Sequence, residues 1–88
     1  MGLCYNLLVY YVYILRLRDD SYYHGFSEDL KQRFAAHKTG VVESTKNLRP
    51  VKLVFYAAFL SKEKAVKFEK YLKSSSGFAF RNKRLIES

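Results

Sequence analysis

Along this chain, apolar positions switch between two periods. From Leu7 to Leu17, Tyr11, Tyr13, Leu15 and Leu17 alternate against Val12, Ile14 and Arg16, the period-two signature of a strand. Asp19-Asp20-Ser21 supplies turn residues, and Tyr22–Phe26 resumes an aromatic strand. The connection is too short for a crossover, so the two strands are expected to pair as an antiparallel hairpin. A third strand is expected over Val51–Leu60, after Pro50 ends a loop. There Leu53, Phe55, Ala57 and Phe59 alternate with Val54, Tyr56 and Ala58. With both faces largely apolar, this strand reads as central or covered on both sides.

Between the hairpin and the third strand the period becomes helical. Ser27 can cap a helix running to about Lys38, with Glu28 and Asp29 in its first turn and Gly40 at its end. At about 100° per residue, and with Leu30 as zero, Phe34 falls about 40° to one side. His37 and Arg33 fall about 20° and 60° to the other, edging the inward face. Taken alone, Arg33 lays its stem along the core and His37 finishes the helix. Val41–Arg49 has no clear period and reads as a loop; Ser44-Thr45-Lys46 either offers hydroxyls and an ammonium to a phosphate or is simply solvated.

Ser61 can cap a second helix running to about Ser74, with Ala65, Phe68 and Leu72 as its core stripe. Glu69 lies about 40° from Ala65, against that stripe. An inward carboxylate is costly unless paired or bound to a cation, so it calls for a salt bridge to Arg33 or a nearby lysine, or for a metal. A last short helix is expected over Phe78–Ile86. The expected fold is therefore α/β (α+β): a small three-stranded antiparallel or mixed sheet flanked by helices, in the order β-β-α-β-α-α, forming one domain over residues 1–88.

Charge then narrows the partner. Sixteen Lys and Arg against eight Asp and Glu leave +8, which favours a polyanion, nucleic acid before an anionic membrane surface. The Leu3–Leu17 run falls short of the roughly 20 residues of a spanning helix and lacks a basic lead, so a buried strand explains it better. Gly2 is not followed by Ser or Thr at position 6, which is Asn. The lone Cys4 excludes an internal disulfide and a cysteine-based zinc site. No membrane partner and a cytoplasmic location are expected.

The order Tyr11-Val12-Tyr13, Tyr23-His24-Gly25, Asp29-Leu30-x-x-Arg33, His37 and Phe68-Glu69-Lys70-Tyr71-Leu72-Lys73 resembles the GIY-YIG nuclease superfamily, closest to its small stand-alone bacterial members. Ser44-Thr45-Lys46 and Arg49-Pro50-Val51-Lys52-Leu53-Val54 belong to the same likeness, which covers roughly Tyr10 to Leu85. Two positions depart from it: Tyr11 stands where the first triplet carries glycine, and His24 where the second carries isoleucine.

The resemblance implies an endonuclease that hydrolyses DNA phosphodiester bonds. In that role Tyr13 is the base or water-orienting group and Tyr23 assists it. Arg33 grips the scissile phosphate with its planar fork. His37 holds a phosphate or relays a proton, and Glu69 binds one divalent metal, magnesium or else manganese. A tyrosine with a pKa near 10 is a poor base unless cations depress it, and Arg33, the metal and Lys46 are the candidates to do so. Lys46, Arg49 and Lys73 are the candidate DNA-binding residues, and Asn82 is the candidate counterpart of a family asparagine. All five site residues are expected on one face of the sheet. The chain is expected to act as a monomer or weak homodimer, with a partner protein as one source of DNA specificity. Two other classes stand beside this one: a catalytically inert basic nucleic-acid-binding module, and a membrane-surface or partner-binding protein using the lysine face of the second helix.

Overall fold

The run Val12-Tyr13-Ile14-Leu15 is fully buried, as only a strand covered on both sides can be. A computed structural model, which describes residues 8–74 together with Gly77 and Asn82, places it in the middle of a three-stranded antiparallel sheet. The elements are β1 (Tyr10–Arg16), β2 (Tyr22–Ser27), α1 (Leu30–Thr39), a 3-10 turn (Lys46–Leu48), β3 (Lys52–Phe59) and α2 (Lys62–Leu72). The mixed α and β fold with an antiparallel sheet is thus as expected. Leu7, Cys4 and, apart from Asn82, the helix expected over Phe78–Ile86 lie outside the described residues.

Strand order is β2-β1-β3, which corrects one expectation. β3 is an edge strand and β1 the centre. The apolar alternation of β3 does not bring full cover, because Tyr56 and Ala58 are exposed on its second face. Its alternation is also broken. Ile14 pairs with Phe55 but Leu15 pairs with Leu53, so Val54 is an extra residue in a β-bulge. Leu53 and Phe55 therefore face opposite sides of the sheet, not the same side.

Each face of the sheet carries its own apolar cluster. Val12 and Ile14 meet Ala65, Leu72 and Phe68 of α2, with Phe55 and Phe59 of β3. Tyr13, Leu15 and Leu17 meet Leu30 and Phe34 of α1, with Tyr23, Leu48 and Leu53. The helices thus cover opposite faces.

Local chemistry fixes the ends. In the hairpin turn Asp20 adopts φ 68°, a left-handed conformation that Asp tolerates, while the Asp19 carboxylate accepts from the Ser21 N–H. α1 starts later than expected, because its cap is Asp29, not Ser27. The Asp29 Oδ1 accepts from the Gln32 N–H at 3.1 Å, and Ser27 instead accepts from the Asp29 N–H at 2.9 Å, bracing the approach to the helix. Gly40 closes α1 at φ 84°, a conformation that favours glycine. Ser61 caps α2 as expected.

Asp29→Ala should destabilise the protein by about 1 kcal/mol in urea denaturation, and Asp29→Asn should retain most of the native stability. Equal stability of the wild type and the alanine variant would place the cap elsewhere.

Candidate functional site

Tyr13 points from the central strand to the α1 side and has no solvent exposure. Its ring lies over β2, where Gly25 is its register partner. A Cβ on Gly25 would fall inside the phenol end of that ring, so glycine is needed there for space, not for backbone conformation. Tyr23, on the same strand and face, has its ring centroid 6.3 Å from that of Tyr13.

The buried phenol is paired. Tyr13 Oη lies 2.9 Å from Nε2 of His37, and Nδ1 of His37 lies 2.8 Å from Oγ1 of Thr45. Both His37 and Thr45 are fully buried, and the Tyr23 ring packs edge-on against the imidazole at 5.0 Å. His37 is therefore no helix-end ornament at the margin of the inward face; it is the one fully buried residue of α1. Burial, and then the charge of Arg33, lower its pKa below the ordinary 6.5, so it is held neutral.

Arg33 sits one helical turn before His37 and is exposed at the surface, yet its guanidinium interacts with the phenols of Tyr13 and Tyr23. Burial raises the Tyr13 pKa above 10, hydrogen bonding from Arg33 opposes this, and the negative charge of Glu69 adds to the rise. Arg33 lowers the Tyr13 pKa as expected, but the desolvation of burial outweighs the guanidinium.

Glu69 corrects another expectation. It belongs to α2, whose stripe packs on the Val12–Ile14 face, whereas Tyr13, Tyr23, Arg33 and His37 gather on the α1 side. What joins them is the lean of Tyr13 over the edge strand β2, which brings its phenol within reach of the Glu69 charge. The carboxylate is one-fifth exposed and pairs with Lys73 Nζ at 3.2 Å. Lys73, expected at DNA, is thus engaged with Glu69. Lys46 pairs with Glu43 at 3.4 Å, and the exposed Arg49 donates from Nε to the Lys46 carbonyl. Asn82 is exposed.

No group of three or more His, Cys, Asp or Glu side chains is gathered for a metal among the described residues. A single, partly exposed carboxylate nonetheless fits a magnesium-like cation, which keeps several waters and takes one or two carboxylates plus substrate phosphate. Thr45, read in the sequence as a hydroxyl for a phosphate or a solvated loop residue, is instead fully buried against His37. It looks like loop polarity, and nothing in its spacing reveals that it turns inward to His37.

Against this geometry, the model of the GIY-YIG catalytic domain matches residues 9–84. A UPF0213 protein of Streptococcus pneumoniae serotype 4 is 42% identical over 64 residues, covering 72% of this chain and 65% of the relative. A UPF0213 protein of Clostridium perfringens is 41% identical over 64 residues, covering 72% and 69%. The match thus spans just under two thirds of the pneumococcal relative. The solution structure of the UPF0213 protein BH0048 from Bacillus halodurans is 38% identical, with a TM-score of 0.50 over 74% of this chain and 70% of that one. Among the described residues no helix is long and apolar enough to cross a membrane.

The lowered pKa of His37 has a consequence for stability. As pH falls through about 6.5 the unfolded chain takes up this proton before the native one does, so stability should decline, levelling once native His37 protonates. Urea denaturation at pH 7.5 and 5.5 should show this loss in the wild type and a smaller one in His37→Gln. An identical pH dependence in both would mean His37 is not held neutral.

Proposed function

We propose, from the premise that the chain belongs to the GIY-YIG catalytic domain family of nucleases, that it is a metal-dependent endonuclease hydrolysing DNA phosphodiester bonds. The observation that carries this reading is the setting of one hydroxyl: Tyr13 Oη lies 2.9 Å from the Nε2 of the neutral His37, and the Arg33 guanidinium acts on the same phenol electrostatically. A buried tyrosine with a raised pKa is a poor base by itself. With its proton on Nδ1, donated to Thr45 Oγ1, His37 offers a bare Nε2 to the Tyr13 O–H. Once substrate binding opens the cover over the phenol, which has no exposure in the free protein, the phenol can accept a proton from a water while passing its own to His37. Tyr23 packs against the imidazole and steadies it. Arg33 grips the scissile phosphate and offsets the charge that develops on its oxygens. Glu69 would hold magnesium or manganese, which when bound lowers the pKa of a coordinated water and neutralises phosphate charge. For this Lys73 would have to leave Glu69, and its ammonium would then be available to the DNA backbone.

That same ion pair favours a second reading, an inert basic DNA-binding module in which Lys73 permanently satisfies Glu69. Metal-dependent cleavage separates the two. On branched, nicked and single-stranded DNA, Glu69→Gln should abolish Mg²⁺-dependent cutting while leaving the fold intact. Arg33→Ala should slow turnover by an amount equivalent to a few kcal/mol of transition-state stabilisation. Absence of cutting by the wild type with either metal would select the inert module.

The net charge of +8 supports DNA as the partner. Binding should weaken steeply with salt, with a log–log slope of about −0.9 per phosphate contact on duplex. Salt-insensitive binding in a titration series would count against nucleic acid.

A further inference from the structure

Beside the site described above, a cleft of about 440 Å³ opens between the start of α1 and the β1–β3 side of the sheet. Leu53 and Phe34 contribute its apolar surface, Tyr11 and Tyr56 its aromatic one, and Glu28 and Asp29 its charge. We propose that this cleft seats an unstacked base of the DNA strand, next to the phosphate at Tyr13. The assignment of that phosphate rests on the nuclease reading.

Three observations carry the inference. Tyr56 is 55% exposed, an open aromatic face set 6.2 Å from the ring of Tyr11 at 58°. Such a ring is a stacking platform for any base, because every base has a π-face. The cleft also adjoins the site directly. Tyr56 is the register partner of Tyr13, and Tyr11 precedes Tyr13 by two residues on the same face of β1, about 6.8 Å along the strand. Finally, the charge is of the wrong sign for phosphate. In a chain of net charge +8, the carboxylates of Glu28 and Asp29 repel a DNA backbone but accept hydrogen bonds from exocyclic amino groups of bases. Lys31, which also lines the cleft, can meet the phosphate attached to the seated base. The ligand must therefore be unpaired, and the protein should favour single-stranded or distorted DNA over intact duplex.

The test is binding without metal, measured by fluorescence anisotropy in EDTA at low salt. Its ligands are a labelled single strand, an abasic strand of equal length and an intact duplex. The wild type should bind the base-bearing strand roughly tenfold more tightly than the abasic one. Tyr56→Ala should erase most of that gap without changing affinity for the abasic strand, which also reports that the variant is folded. Tyr56→Phe should keep the gap. Equal affinity of the wild type for the two strands, or a gap that Tyr56→Ala leaves intact, overturns the cleft even if the wild type cuts DNA. A gap that depends on Tyr56, in a protein that never cuts DNA, upholds the cleft and overturns only the nuclease reading.

Discussion

A hydroxyl with no solvent exposure in the free protein, in the middle strand of a sheet covered on both faces, must find its hydrogen bond inside the protein. Tyr13 is that hydroxyl, and much of the architecture on the α1 side follows from satisfying it. Its partner, His37, is buried in turn and has a second ring nitrogen to satisfy, which draws Thr45 inward from the loop. One chain of two hydrogen bonds thereby ties β1 to α1 and to the segment before β3. That segment is also held at the hairpin, where the Leu48 carbonyl accepts from the Arg18 backbone N–H at 2.8 Å. Arg33 rides one turn ahead of His37, so fixing the imidazole also fixes the side from which the guanidinium approaches the two phenols.

The strands, the hairpin and both helices were legible in the sequence because alternation and helical spacing are local properties. What is relational was not. Two apolar faces do not say whether a strand is central or at the edge, and here Val12 to Leu15 took the centre while Tyr56 stayed exposed. The bulge at Val54 depends on the partner strand, so no pattern within β3 reveals it. Ser27 and Asp29 both have cap chemistry, and the choice falls to whichever carboxylate or hydroxyl meets the Gln32 N–H. A helical wheel places Glu69 inward on its helix, yet says nothing of which face of the sheet that helix covers. The GIY-YIG triplets supplied the residues around Tyr13, but the sign of its pKa shift required the burial that only packing creates.

The division of the sheet into two apolar layers is also a division along the chain. Tyr13, Tyr23, Arg33, His37 and Thr45 come from the first 45 residues of the chain and share one layer. Glu69 belongs to the other layer, on α2, which packs on Val12 and Ile14. A chain still emerging during synthesis therefore carries Arg33 and His37 well before it carries Glu69.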